Sequence, residues 1–391
     1  MKIGIDCRLW DETGVGRYIR NLVNELQILD KKNNYVLFVR SKDHENIRFA
    51  IRNSQFAIRA ADIKWHTLKE QLKFPSLINK ENLDLMHFPY ISVPIFYNKP
   101  FVVTIHDLIP LHFPTGEAST LSMPLYKIKL LGYKFVLSAA AKKAKRIITV
   151  SNATKTEIAD HLKVSEDKII VTYEGIDDKI TNSKSQIPNK SQNTKYRILD
   201  AKYFLYIGNA YPHKNLERLI DAFEILRGAC IELVECAQND IKLVLVGKED
   251  YFYKRLKEKV KEMGLQKYVL FYGEVNDEEL GNLYKNAIAL VNPSLMEGFG
   301  LPALEAMANG CLVLASNIPA LKEVCGESAI YFDPYDVNDI VRKMKEVYYD
   351  NMYHHRDKIK KGLERSKKFS WEKMAIETLK IYEKCYSASS E

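Results

Sequence analysis

Short apolar runs recur along this chain with helix-length stretches between them, and that alternation constrains the fold more than any other feature. KIGID (Lys2 to Asp6), YVLFVR from Tyr35, LDLMHF from Leu83, FVVTIHD from Phe101, RIITVS from Arg146 and KIIVTY from Lys168 read as strands in the first half. YFLYIG from Tyr203, KLVLVG from Lys242, YVLFYG from Tyr268, AIALVNPS from Ala287, CLVLAS from Cys311 and AIYFD from Ala329 repeat the series in the second. Strands separated by helical stretches argue for parallel sheets. Apolar spacing predicts amphipathic helices from about Arg17 to Leu29, from about Leu216 to Arg227, and once more after Phe369. The expected class is α/β, built twice. At 391 residues each half is long enough to bury its own core.

Between the halves, Asp177 to Tyr196 reads DDKITNSKSQIPNKSQNTKY, polar and poor in apolar residues, as a linker would be. The expected organisation is an N-terminal domain at 1–176, a linker at 177–200 and a C-terminal domain at 201–368. A terminal helix at 369–391 is expected to pack back towards the first domain. The six cysteines, Cys7, Cys230, Cys236, Cys311, Cys325 and Cys385, form no CxxC pair and lie mostly among apolar neighbours, which reads as reduced thiols in a cytoplasmic protein. MKIGIDCRLWDE lacks the apolar stretch of a signal peptide, and no run approaches the length of a bilayer span.

The formal net charge of +8 favours an anionic partner: a nucleotide phosphate, a lipid phosphate or a membrane surface. Nucleic acid is disfavoured, because no helix-turn-helix, zinc-finger or RNP-type pattern is present. Tyr126 to Arg146, YKIKLLGYKFVLSAAAKKAKR, mixes lysines with Leu130, Leu131, Phe135, Val136 and Leu137. Such a helix suits peripheral contact with an anionic membrane at its inner face. An ordinary domain helix with basic residues at its C-terminus explains the same pattern and is the preferred reading.

The densest chemistry lies in NPSLMEGFGLPALEAMANG, Asn292 to Gly310. Glu297 and Glu305 stand on either side of a glycine-bearing loop, and Pro302 suits the first position of a helix. The amides of Gly298, Phe299, Gly300 and Leu301 would then surround that helix's positive end, where phosphate is favoured. Two carboxylates can accept hydrogen bonds from a sugar and a ribose, so the segment points to a nucleotide sugar. A tight turn followed by a dipole-favoured glutamate is the simpler alternative for Glu305 alone. A pair of carboxylates also resembles the acid and base of a glycosidase.

Other segments add to this. Gly14 and Gly16 follow the first strand and open a helix, where the chain can pass close to a ligand or simply turn; the third glycine of the dinucleotide fingerprint is missing, which counts against NAD. His106 and Asp107 end a strand, where open α/β sheets bind ligands, although a satisfied structural histidine is as good a reading. Ser151 is better read as a helix cap than as a ligand contact. Lys214 follows the strand that begins the second half and can neutralise a diphosphate. No Asp-x-Asp pair and no His/Cys/carboxylate cluster at ligand spacing occurs, so no metal site is expected.

TGVGRY from Thr13, VVTIHDLIP from Val102, ITVSNATKTEI from Ile148, YIGNAYPHKN from Tyr206, LVLVGK from Leu243, FYGEV from Phe271 and the Glu297 to Glu305 segment occur in family order. Together they make the chain resemble a GT-B glycosyltransferase of family 4, also called group 1, over nearly its full length. The short TGVGRY and HKN forms are most similar to mannosyltransferases of surface-polysaccharide assembly. The resemblance implies two Rossmann-like doubly wound domains facing across a cleft, an acceptor-binding one first and a nucleotide-sugar-binding one second. It further implies a retaining, metal-independent hexosyltransferase that takes a GDP-, UDP- or dTDP-hexose to a glycan or lipid-linked acceptor and needs no cofactor.

By the same resemblance, His106 orients the sugar or assists proton movement and Asp107 holds the ring or the loop. Lys214 meets the diphosphate, Glu297 the sugar and Glu305 the ribose. The Gly14 to Gly16 loop meets donor phosphates or acceptor, and Glu274 and Val275 meet the base. Where family members commonly carry an arginine after the strand glycine, this chain has Asn209 after Gly208, which puts a second phosphate clamp in doubt; His213 or Lys248 would have to compensate. A relative that epimerises or phosphorolyses its sugar is a weaker alternative. A catalytically silent nucleotide-sugar-binding subunit of a polysaccharide-assembly complex is the alternative from another class.

Overall fold

The computed structural model describes residues 1–12, 14–114, 122–181, 201–232, 241–350 and 352–387. They form two compact units, Met1–Gly175 with Ser370–Glu391, and Ile176–Phe369. The strands of the first are β1 (Lys2–Asp6), β2 (Asn34–Val39), β3 (Phe56–Ala60), β4 (Leu85–Phe88), β5 (Phe101–Ile105), β6 (Arg146–Thr149) and β7 (Ile169–Val171). Those of the second are β8 (Tyr203–Ile207), β9 (Lys242–Val246), β10 (Val269–Gly273), β11 (Ala289–Asn292), β12 (Val313–Ser316) and β13 (Ala329–Phe332).

Both sheets are parallel throughout. The first runs β3-β2-β1-β4-β5-β6-β7 and the second β10-β9-β8-β11-β12-β13. Central strands such as β5 bury every side chain, as strands covered on both faces must. Strand order reverses between β1 and β4 and again between β8 and β11, and the loops leaving such neighbours in opposite directions open a crevice at the carboxyl edge. β3, which the apolar pattern did not reveal, pairs only with β2 and exposes Arg59 and Ala60. An edge strand whose end runs out into solvent has no need of a continuous apolar run.

The terminal helix, Trp371–Ser387, packs within the first unit against the helix Gly14–Leu29. Its Tyr382 hydroxyl lies 2.6 Å from His87 Nδ1, and His87 Nε2 lies 2.8 Å from Thr104 Oγ1. Burial above all pushes the His87 imidazole down to about 3, so it is neutral at pH 7. Gly175 lies against the entry to this helix: a Cβ there would stand 2.1 Å from the Trp371 nitrogen.

Of the stretch read as a linker, Asp178–Thr181 forms a helical turn against the helix Asp277–Asn286, and residues 182–200 lie outside the described residues. Cys7, Cys311, Cys325 and Cys385 are free thiols, buried and raised by that burial; the Cys230 and Cys236 side chains lie outside the description. Among the described residues no helix is long and apolar enough to cross a membrane. The helix Met123–Lys143 buries Leu137, Ala140 and Ala141 and carries Lys142 and Lys143 in its last turn, as a domain helix with a basic C-terminus would, while Leu125, Ile128, Leu131 and Phe135 nearer its start are exposed.

Candidate active site

In the second unit the site is assembled by the loops after β8 and β11, the neighbours at the reversal. Gly208, at φ 148°, turns the chain out of β8. Tyr206 donates to the Asn209 carbonyl at 2.7 Å, and Tyr253 donates to that of Gly208 at 2.7 Å, fixing the turn. A short turn, Pro212–Lys214, follows, and Asn215 adopts the left-handed conformation at φ 61°. The Asn215 side chain donates through Nδ2 to the carbonyls of Pro293, at 3.0 Å, and Pro334, at 2.8 Å, while the Leu295 backbone amide donates to the His213 carbonyl at 2.8 Å. Two loops distant in sequence are thereby held together.

The consequence is an ion pair. Lys214 Nζ donates to Glu297 Oε1 at 2.7 Å, and Ser294 Oγ donates to the same oxygen at 2.7 Å. The two charged side chains are 16% and 11% exposed, enough for a ligand to reach them. Burial pushes the Glu297 carboxyl up. The Lys214 charge and hydrogen bond, helped by Ser294, outweigh it and hold the group below its usual range. Burial chiefly, then the Lys214 charge, brings the neighbouring His213 imidazole down to about 4, against the opposing pull of Glu297.

Beyond Glu297 the chain is anchored by Phe299, which is buried with its ring 5.7 Å from that of Phe369. Gly300 at φ 102° then turns the backbone into the helix Leu301–Ala308. Pro302 is the second helical residue, one place later than expected, because Gly300 is the cap. The Gly298 to Leu301 backbone thus leads into the positive end of the helix, as the sequence implied. Glu305 is 2% exposed, deeper than its partner carboxylate, and its Oε2 accepts from Tyr284 at 2.9 Å. Val275 is half-buried at the end of β10, whereas Glu274 and Lys248 are exposed. The Asn209 side chain accepts from the Tyr211 amide at 3.3 Å, within its own loop.

In the first unit, His106 leaves β5 with Nε2 2.9 Å from the Pro89 carbonyl at the end of β4. Its Nδ1 is 3.5 Å from Glu174 Oε1, and its ring stands edge-on to Tyr18 at 4.9 Å. A proton on Nε2 serves the Pro89 carbonyl, which leaves Nδ1 facing Glu174. Tyr18, one turn into the helix that starts at Gly14, brings that helix's opening beside His106. The two glycines differ. A Cβ at Gly14 would touch nothing within 4 Å, whereas one at Gly16 would meet the Trp10 and Leu9 carbonyl oxygens at 2.5 and 2.8 Å, so Gly16 is needed for the chain's own packing.

Asp107 Oδ1 accepts from the Ile109 amide at 3.0 Å and shapes its loop. Ser151 caps the helix Asn152–Leu162 by accepting from the Thr154 amide, as its sequence position implied. Sequence reasoning missed Glu174 and Ser294. Both follow strands, in YEG and NPS, and that position was the available signal. Among the described residues no group of three or more His, Cys, Asp or Glu could hold a metal ion.

Two parallel doubly wound sheets with polar side chains gathered at their carboxyl edges describe the GT-B class, built from two Rossmann-like domains. The comparisons agree: residues 13–179 match the family described as Glycosyltransferase Family 4 and residues 189–365 that described as Glycosyl transferases group 1. The chain belongs to the group 1 glycosyltransferases. It is 29% identical to the O-antigen chain mannosyltransferase RfbU of Salmonella typhimurium over 73% of this chain and 71% of that one. It is 27% identical to the O-antigen chain mannosyltransferase B of Escherichia coli, over 95% and 96%. Among solved structures it shares its fold with sucrose-phosphate synthase from Thermosynechococcus elongatus (TM-score 0.78, 21% identity, 99% and 100% covered). Anabaena HepE in complex with UDP-glucose has the same fold (TM-score 0.74, 16% identity, 97% and 99% covered).

Proposed function

We propose that this glycosyltransferase is a retaining hexosyltransferase that moves mannose from a nucleotide sugar, GDP-mannose first among the candidates, to a glycan or lipid-linked acceptor in surface-polysaccharide assembly. The observation that carries the reading is the Lys214–Glu297 pair on loops leaving adjacent strands. A diphosphate leaving group gains charge as the glycosidic bond breaks, and a preorganised ammonium beside it stabilises that charge without a metal. When a donor diphosphate gives Lys214 a second anion, Glu297 is released in part to accept hydrogen bonds from hydroxyls of the sugar. Glu305, oriented by Tyr284, serves the ribose, and the Gly298 to Leu301 amides serve the phosphates.

By the family resemblance Val275 and Asn209 are assigned to the donor's margins, and Gly14, where a Cβ would meet nothing within 4 Å, to a loop that meets donor phosphates or acceptor. His106 with Glu174 can take or orient a proton of the reacting hydroxyls, while Asp107 fixes the loop that carries His106. Departure of the nucleoside diphosphate from the face that the acceptor attacks, through an oxocarbenium-like state, retains configuration. Support for the sugar comes from the relatives' names, which are mannosyltransferases, and support for the donor class from HepE, solved with UDP-glucose. The nucleotide sugar is a substrate, and no further cofactor is required.

The test is thermal protection by a panel of GDP-, UDP- and dTDP-sugars, followed by donor hydrolysis and transfer to candidate acceptors. Protection by one donor and turnover that Glu297→Ala and Lys214→Ala each abolish is the expected result; normal turnover in either variant sinks the proposed donor site. A silent nucleotide-sugar-binding subunit is the second reading, favoured by Asn209, an uncharged side chain turned into its own loop. Protection without turnover under every acceptor would select it.

A further inference from the structure

The helix Met123–Lys143 is apolar on two opposite faces, and only one is covered. Leu137, Ala140 and Ala141 are buried, and Tyr133 on the same side lies 6.3 Å from the ring of His66. Leu125, Ile128, Leu131 and Phe135 are 57%, 67%, 67% and 63% exposed. At about 100° per residue these four form a stripe about 120° wide, roughly opposite the buried side. An apolar helix face is normally covered, by a core or by a membrane. This one is half in water.

Charge decides what kind of surface covers the stripe. Lys127 and Lys134 border it on one side and Lys129 on the other, and the helix holds no acidic residue. The same unit exposes further apolar side chains beside lysines. On the helix Leu68–Asn79, Leu68 and Leu72 are 83% and 66% exposed beside the exposed Lys69 and Lys73, and Phe96 is 58% exposed. Ile95 ties that helix to the C-terminal end of the Met123–Lys143 helix, its amide donating to Gln71 Oε1 at 2.8 Å and its carbonyl accepting from Lys143 Nζ at 2.6 Å.

A second copy of the chain placed across the stripe by a two-fold axis would set lysine against lysine, with no carboxylate on the helix to answer them. A lipid surface meets both demands, since apolar tips enter the acyl boundary while the lysine stems lie along it and the ammonium groups stay among anionic headgroups. We propose that the outer face of the Met123–Lys143 helix, extended by Leu68, Leu72 and Phe96, docks this chain onto an anionic lipid bilayer. This goes beyond the proposed sugar transfer and does not depend on the donor's identity.

The test is co-sedimentation of the full chain with phosphatidylcholine vesicles and with vesicles part of whose lipid is phosphatidylglycerol. The expected result is salt-sensitive binding to the anionic vesicles alone. Combining Leu131→Ser with Phe135→Ser should weaken partitioning about tenfold or more, since each removes an apolar side chain from the interface. Combining Lys127→Glu with Lys129→Glu should weaken it similarly and flatten its salt dependence. Ile28→Ser, at an exposed apolar residue elsewhere in the unit, is the control and should bind as wild type. Equal pelleting with neutral vesicles, or wild-type binding by the Leu131/Phe135 variant, overturns the proposal. So does a wild-type dimer, read by light scattering, that the Leu131/Phe135 variant converts to monomer while neither form binds vesicles. Melting protection by nucleotide sugars is read on the same variants, so a failed donor assignment is told apart from failed docking.

Discussion

Replacing Lys214 by Met isolates the ion pair on which the donor site rests, because it removes the cation and keeps most of the stem. Glu297 would then keep Ser294 as a hydrogen-bond donor but lose the charge that offsets its burial. Exposed pairs contribute about 0–1 kcal/mol, and breaking a fully buried pair costs about 3–5 kcal/mol. With side chains 16% and 11% exposed, the expected cost lies between them, at about 2 kcal/mol. In a domain of this size that lowers the melting temperature by about 4–8 °C.

The pH dependence is more specific than the magnitude. In the wild type the depressed Glu297 pKa contributes stability that is present above the ordinary carboxylate value, about 4.3, and is lost as pH falls through the folded-state value. In Lys214→Met, burial dominates and raises the pKa, so ionisation opposes folding as pH rises through about 4.3. The stability gap between the two proteins should be widest at neutral pH and should close below about pH 4. Adding Glu297→Gln should recover more than half of the loss, as removing both charges of a buried pair does. Urea unfolding across pH measures this, with transfer activity alongside, where a loss of about 10²- to 10³-fold is expected. A gap unchanged from pH 7 to the acid limb, or costs that simply add in the double variant, would refute the reasoning.

Three further outcomes are expected. Asn215→Ala should cost about 2–4 kcal/mol in urea unfolding, because it places a Cβ-bearing residue without a compensating side chain at φ 61° and deletes the bonds to Pro293 and Pro334; a cost near zero would show that the two loops are not held by it. Gly16→Ala should destabilise the first unit strongly, by about 2 kcal/mol or more, since its Cβ would press on backbone oxygens that have no room to move; a normal melting curve would contradict that packing. His213, at about 4 in the folded protein against about 6.5 unfolded, binds its proton more tightly when unfolded, so stability falls as pH drops through that window. His213→Gln should therefore reduce the acid slope by about 1.4 kcal/mol per pH unit between about pH 6 and 4, and an unchanged slope would mean that the imidazole is not buried neutral.

Much of this protein is legible from short patterns. The continuous apolar runs locate every strand but β3, whose edge position and exposed end leave a weaker mark. Ser151 reads as a cap because capping needs only the residues that follow it. Glu297, Glu305 and the glycines between them are legible because one loop and one helix hold them all. Glu174 and Ser294 are not, because their roles depend on what stands opposite: His106 for one, and the carboxylate shared with Lys214 for the other. Gly14 and Gly16 look alike in sequence, and only the carbonyl oxygens of Leu9 and Trp10 distinguish them.

What the sequence determined by itself is local: strand and helix periods, caps, the doubled α/β architecture, and the family that the ordered motifs identify. What only tertiary structure decided is which distant groups meet. Lys214 and Glu297 are 83 positions apart and become a 2.7 Å pair because β8 and β11 are neighbours and Asn215 ties their loops together. Likewise the lysine-rich helix has one spacing that suits burial on either face, and only the packing of the first unit leaves the Leu125 to Phe135 stripe in water. Periodicity is a property of the chain next to itself; pairing and exposure depend on everything the chain folds against.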